Sequence, residues 1–480
     1  MSESEKTAAS PASGANSRRV SPWLLFLLLF IAYNANFRTI HFGDTVPSSV
    51  LPFSLLLDHT WNLDRWFDNY VPPKGVENGM YYLRPSRGHR MSAYPIIMPL
   101  SITPLYILPA WVVARQNPPL AREDIVMLAL IEVMEKLSAS LIAALSGVVL
   151  FLAFRKVCSP GMSLMLALIY GLASSTWCIS SQALWRHGFT ELSFAFLIWG
   201  LLPGQGSGKQ AFWCGVALAG AGANGMSNIV VILAVVAYFA RQGKREFTRF
   251  FAPLAAVGIL VLIYNYYFFG RLQGGYPSFI VHGGGATHLF KGAPTWEAVL
   301  GLFISPSRGL MIYMPWTVLA VWGMVRAWKR NTYGWERYLI AGTAGVFVEH
   351  SLMGRWWGGW SFGPRYLVDI LPLLVFFLIP VWPRIQASTL LRAATVASLA
   401  AALWLQFLGS FYYPNGAWDD LPINVDQSPH RLWDLEDNPI RRTWQAGAAR
   451  PNLFYKLFLL PTLLENSSAQ RLPASDRPTK

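Results

Sequence analysis

The feature that most constrains this chain is a succession of apolar runs close to membrane length, separated by short basic turns. Residues 125–154 carry Glu132, Glu135 and Lys136 as their only charges, and 248–269 and 389–410 are similarly apolar. About 20 such residues in helical form cross a hydrocarbon core of about 30 Å. Hydrophobic residues make up 53% of the 480 and charged residues only 13%, too little polar surface for a soluble fold of this size. The pattern predicts an all-α polytopic membrane protein of about eleven transmembrane helices. The expected spans are 22–40, 125–154, 162–181, 189–203, 211–223, 225–240, 248–269, 310–328, 335–353, 366–383 and 389–410. A transmembrane β-barrel is excluded, because short alternating strands are missing.

The basic residues set orientation. Cytoplasmic loops are enriched in Lys and Arg, so Ser17-Arg18-Arg19 ahead of the first run predicts a cytoplasmic N-terminus, with residues 1–20 a disordered tail. Residues 95–113 are apolar but contain Pro95, Pro99, Pro104 and Pro109. Proline removes helix hydrogen bonds, which is costly in lipid, so this run is expected to be re-entrant or surface-lying. With that choice Arg155-Lys156, Lys209, Arg241–Arg249, Arg326–Arg330 and Arg384 all fall inside. Residues 41–124 then form a large first extracytoplasmic loop, and 411–480 an extracytoplasmic C-terminal segment whose last residues are disordered. Within the first loop, Ser54–Tyr70 has helical spacing of Leu57, Trp61, Asp64 and Asp68, which predicts a surface-lying amphipathic helix with Asp58, Asp64 and Asp68 solvated.

The net charge of +14 does not mark a nucleic-acid binder, because the cations are scattered between apolar segments. Cys158, Cys178 and Cys214 have neither disulfide nor metal-ligand spacing and read as packing residues. Asp419-Asp420 reads as a loop or cap, and no metal site is expected.

With this orientation the outer face holds Asp44 and an excess of cations: Arg84, Arg87, His89, Arg90, Arg186, His187, Arg271, His282, His288, Lys291, Arg308, Arg355 and Arg365. Such an excess runs against the charge rule and points to an anionic ligand such as a lipid-linked phosphate, which arginine's planar fork holds through two oxygens. Snorkelling to lipid headgroups is the plainer reading for any one of them. Asp44, alone in the sequence Phe42-Gly43-Asp44-Thr45 just after the first run, is either a catalytic base or a turn residue paired with Arg38. His187 either contacts phosphate or caps a helix. In Arg355–Tyr366 (RWWGGWSFGPRY) glycines admit a ligand close to the backbone, and Trp356, Trp357, Trp360 and Tyr366, with Tyr276 elsewhere, offer flat surfaces to a sugar or prenyl chain.

Phe42–Thr45, Ser92-Ala93-Tyr94-Pro95, Leu184–Gly188, Ser305–Gly309 and Trp360–Tyr366 resemble motifs of bacterial polytopic C-type (GT-C) glycosyltransferases. These are related to protein O-mannosyltransferases and the lipid A aminoarabinose transferase. The resemblance covers roughly residues 20–410 and implies a GT-C-like catalytic module over 21–410 in the inner membrane. It implies a sugar donor on a polyprenyl phosphate, a glycan, lipid or protein acceptor, and an acidic base in the first external loop. Many relatives carry two adjacent acids there; here Thr45 follows Asp44, which disfavours a metal and leaves Asp44 as sole base. Donor phosphate would then rest on Arg365, Arg308, Arg87, Arg90, Arg271 and His187. A lipid-linked saccharide flippase, using Glu132, Glu135 and Lys136, and a non-catalytic assembly protein are the other classes the sequence admits.

Overall fold

In the computed structural model, residues 21–67, 80–117, 119–204, 206–225, 227, 229–275 and 295–461 are described. The chain is mostly helical, with one two-stranded sheet among the described residues. Three helices, Ile125–Phe154, Lys244–Phe269 and Thr389–Phe411, are long and apolar enough to cross a membrane. A fourth crossing results if Arg365–Phe376 and Ile379–Ala387, bent by 41° at the break, count as one.

This is fewer than the eleven spans expected, and length is the reason. Arg186–Leu201 and Glu336–Ser351 each have 16 residues, about 24 Å of helix against about 30 Å of hydrocarbon. The expected span 310–328 is broken at Met314-Pro315-Trp316, between Leu310–Tyr313 and Thr317–Arg330. The proline-rich run is one helix, Ile97–Val113, with Pro104 and Pro109 inside it.

Helix Lys244–Phe269 shows what kind of environment the chain expects. Almost none of its apolar window is fully buried, with Leu260 65% and Ile263 59% exposed. An apolar helix that packs on Ser207–Asn224 along one side and leaves its other side bare needs an apolar solvent there. Helix Ile125–Phe154 is the opposite case and forms the buried axis of the molecule. It starts at Asp124, whose carboxylate accepts from the Val126 amide at 2.8 Å. The first helix, Pro22–Asn34, lies so close to it and to Pro160–Leu172 that a side chain at Gly147 or Gly171 would strike Leu29.

The polar groups of the central helix are engaged with neighbouring segments. Lys136 donates to the Tyr33 carbonyl at 2.8 Å and to Gln182. Glu135 bonds His41 and accepts from the Leu184 amide. Glu132 accepts from Thr39 at 2.7 Å and pairs with Lys456. The far end of the chain is tied here as well. The Thr39 amide donates to Asn452 at 2.7 Å, Asn452 Nδ2 donates to the Thr39 carbonyl at 3.1 Å, and the Leu453 amide donates to the Phe37 carbonyl at 2.9 Å.

The first loop differs from expectation. Instead of one amphipathic helix, Val46–Phe53 continues through a wide turn, Ser54–Asp58, and stops at His59 in the left-handed region; a single turn follows at Asp64–Phe67. Asp58 is not solvated: its side chain is buried between Arg65 and Arg122. Asp64 accepts from the Arg90 amide at 2.6 Å and bonds His89. Asp68 lies outside the described residues. The basic stretch after it is a hairpin, Leu83–Ser86 paired with His89–Ser92, turning through Arg87 (φ 51°) and Gly88 (φ 81°). Positive φ at both central residues gives the turn whose twist matches paired strands.

Candidate active site

Asp44 sits in a single helical turn, Gly43–Thr45, that is closed by Thr45: its amide donates to the Phe42 carbonyl at 3.0 Å and its hydroxyl at 2.9 Å. The Arg38 pairing is not formed. Arg38 is buried and donates to the carbonyls of Ser410 (3.3 Å) and Tyr413 (2.9 Å). The partner of Asp44 is Arg365, 321 positions later, with Nη1 at 2.8 Å from Oδ2.

The other carboxylate oxygen accepts two phenol hydroxyls, from Tyr94 at 2.7 Å and Tyr81 at 2.8 Å. The hairpin explains how two tyrosines thirteen residues apart reach one oxygen. Its pairing extends past Leu83 opposite Ser92, with the Ala93 amide donating to the Tyr82 carbonyl at 2.9 Å. Residues 81 and 94 therefore leave its open end side by side. The glycine before Asp44 is required by the same contact, because a Cβ at Gly43 would collide with the Tyr81 hydroxyl. Burial pushes the Asp44 carboxyl up, but Arg365 and the hydroxyls of Tyr94 and Tyr81 outweigh it and hold it below its ordinary 3.8. The group is an anion at neutral pH.

Arg365 is presented by the loop expected to carry it. Gly358 and Gly359 both have positive φ (77° and 64°), and the Gly358 carbonyl accepts from Arg365 Nη2. The guanidinium lies 4.5 Å from the Trp185 ring centre, a cation–π contact, and its Nε is buried with no hydrogen-bond partner among the described residues. Trp185 in turn packs on Phe42 at 4.8 Å, so the aromatic shelf joins the two charged residues.

A cleft is lined by Asp44, Tyr94, Trp185, Arg186, His187 and Arg365, with Ser48, Pro95, Met98, Asn224 and Tyr366 completing it. Its interior volume is about 50 Å³, enough for ordered water or a small anionic head group. His187 is buried and bonds Asp369 through Nδ1 at 2.7 Å.

The expected phosphate ligands divide. Arg365 and His187 line the cleft; Arg308 does not, and its expected role is corrected. It is 1% exposed, with Nε donating to the Trp357 carbonyl (3.1 Å), Nη1 to the Ser307 carbonyl (2.9 Å), and Nη2 to the Gly359 carbonyl and Asp419. It braces the loop that presents Arg365, and each of its three nitrogens already donates to the protein. Arg87, Arg90 and Arg271 are not among the cleft residues either. Arg87 lies over the Tyr267 ring at 5.4 Å, Arg90 donates to the Phe67 carbonyl at 2.8 Å, and exposed Arg271 neighbours Arg84.

The aromatic residues divide in the same way. Trp356 and Trp357 are buried: the first packs on Gly301 and Trp433, and the second donates to Asp426 at 3.0 Å. Trp360 is 43% exposed beside Gly416, and Tyr366 reaches the cleft. Tyr276, His282, His288 and Lys291 lie outside the described residues. Tyr81, Tyr94, Trp185 and Asp369 join the site unforeseen; Tyr94 and Trp185 stand inside Ser92–Pro95 and Leu184–Gly188, whereas nothing local marks Asp369.

Asp419 forms a buried ion pair with Arg308, and its carboxyl is raised by burial above its ordinary 3.8 although Arg308 and Tyr413 pull it down. Among the described residues no group of three His, Cys, Asp or Glu side chains could hold a metal. A scan against protein-family models finds no match to this chain, and a search of curated proteins finds none.

Proposed function

We propose that this chain is a membrane glycosyltransferase that moves a sugar from a polyprenyl-phosphate donor to an acceptor on the extracytoplasmic face. The observation that supports it is convergence. Asp44, Tyr94, Trp185–His187 and Arg365 belong to four separate sequence motifs that resemble the same enzyme class, and they line one cleft. On this reading the shorter apolar helices join the three long ones in a GT-C-like bundle of about eleven crossings, with a cytoplasmic N-terminus, in the inner membrane.

The resting site is an ion pair, Asp44 with Arg365. Donor phosphate competes with Asp44 for the guanidinium, whose Nε is still unpartnered. As Arg365 turns towards phosphate, Asp44 loses its strongest stabilising neighbour and its basicity rises. It then takes the proton of the acceptor hydroxyl as that oxygen attacks the anomeric carbon. Base catalysis of this kind contributes about 10²–10⁴-fold. The bond from the anomeric carbon to phosphate breaks, its electron pair leaves with the phosphate, and Arg365 with Arg186 balances the growing charge. Direct displacement inverts the anomeric configuration. The sugar sits at the cleft mouth, where Tyr366 and Trp185 offer flat surfaces.

The full chain in proteoliposomes, given radiolabelled prenyl-phosphate pentose and hexose donors in turn, tests this. Release of prenyl phosphate together with labelled acceptor supports the reading. Movement of intact donor across the bilayer without cleavage replaces it with a flippase. The polar residues that a flippase would use are bonded to Tyr33, Gln182, His41, Thr39 and Lys456.

A further inference from the structure

The cleft holds a second acid–base unit with no part in the steps above. His187 lines the cleft and is fixed through Nδ1 to Asp369, which leaves Nε2 as its one ring nitrogen without a hydrogen bond among the described residues. Asp369 comes from the turn Arg365–Ile370 that also supplies Arg365, so one segment sets both the guanidinium and the imidazole. A carboxylate bonded to one imidazole nitrogen fixes the tautomer and orients the other nitrogen for proton transfer.

We propose that His187, oriented by Asp369, is the proton donor to the leaving phosphate, an assignment that rests on the transferase reading above. In balanced form, the acceptor oxygen bonds the anomeric carbon and gives its proton to Asp44. The carbon–oxygen bond to phosphate breaks with its electron pair on the phosphate oxygen. That oxygen takes the Nε2 proton of His187. Solvent then removes the proton from Asp44 and returns one to His187.

The surrounding charges give this group its switch. Arg186 adjoins it on its own helix, Arg365 and Asp369 face it from the neighbouring turn, and Glu349 and His350 lie on the helix behind Asp369. Glu191, one turn further along, is also within reach of Asp369, and Asp44 sits across the cleft beyond Arg365. Burial, helped by Arg186 and Arg365, holds the imidazole below its ordinary 6.5 in spite of Asp369. A bound phosphate adds a second anion on the opposite side of the ring and draws the proton on. Donor binding itself then charges the acid.

Farnesyl phosphate, carrying the head group of the leaving product, is the probe. Its binding to the purified full chain in detergent micelles is followed by calorimetry and by ³¹P NMR between pH 5 and 8. We expect His187→Gln to bind it about 10- to 100-fold more weakly at the acid end, the worth of one charge-assisted hydrogen bond. The bound phosphate should also titrate at higher pH in that variant than in the parent, because its cationic partner is gone. Asp369→Asn, which keeps size but loses the charge, should shift the phosphate titration in the same direction and less far; it stands in if His187→Gln does not fold. Unchanged affinity and an unchanged ³¹P titration in both variants overturn the assignment and leave the transferase reading standing. Failure of the parent protein to bind farnesyl phosphate overturns that reading and this one together.

Discussion

Two arginine–aspartate pairs, Arg365–Asp44 and Arg308–Asp419, come from residues the sequence presents in much the same way, yet they do opposite work. Arg308 and Asp419 are each 1% exposed in their side chains, whereas Arg365 and Asp44 are 12% and 23% exposed. Around Arg308 every donor nitrogen meets a carbonyl or carboxylate. Around Arg365 one donor is left over. The carboxyl shifts run in opposite directions too, Asp44 down and Asp419 up, because burial dominates at Asp419 and donated hydrogen bonds with Arg365 dominate at Asp44. What distinguishes a binding arginine from a bracing one is spare valence next to open space.

The largest expected effect separates the pairs by activity. Asp44→Asn should lower turnover in the proteoliposome assay by about 10²–10⁴-fold, with a smaller loss of stability than breaking the fully buried pair, because Arg365 and Asp44 keep some exposure. Near-normal turnover would remove Asp44 as base. Next comes the converse: Arg308→Leu leaves Asp419 buried without its cation and should cost about 3–5 kcal/mol of stability. Thermal unfolding in detergent measures this, and a fully stable Arg308→Leu protein would break the distinction drawn here.

A smaller effect probes the loop between the two pairs. Gly363 has φ 92° and faces Tyr313, so Gly363→Ala should destabilise by about 1–3 kcal/mol, read as a lower melting temperature. The smallest effect is a shift in pH dependence. The folded Asp44 carboxyl lies below its ordinary 3.8, so the stability it contributes is present above 3.8 and is lost as pH falls through its lower folded value. Tyr94→Phe removes one donor, costs about 1 kcal/mol, and moves the acid limb of the turnover profile to higher pH. An unmoved limb would mean that some other group controls it.

Much of the architecture was legible because hydrophobic length is a local property. The helical class and the three long apolar helices follow from runs such as 125–154 and 389–410 alone. The crossing count was not, because it depends on where helices break, and the break at Met314-Pro315-Trp316 interrupts an otherwise apolar run. In the cleft, Asp44, His187 and Arg365 were found because charged groups are scarce between apolar runs. Arg308 was misplaced because its partner Asp419 is 111 positions away and no spacing rule links them. Tyr81 and Tyr94 were missed because their meeting on one carboxylate oxygen depends on the register of a hairpin that read as a basic loop. Scarce charges can be found locally, whereas their partners are chosen by the fold.

The tie between Thr39 and the chain's far end also sets an order of assembly. Lys456, 417 positions after Thr39, bonds the segment that leads into Asp44. At about 5–20 residues per second, synthesis reaches it roughly 20–80 s after that segment is made. The segment ahead of Asp44 is therefore pinned only after every helix between them has been translated. A nascent chain that has reached Asp369 carries every residue of the cleft but lacks this fastening, so the segment ahead of Asp44 is secured last.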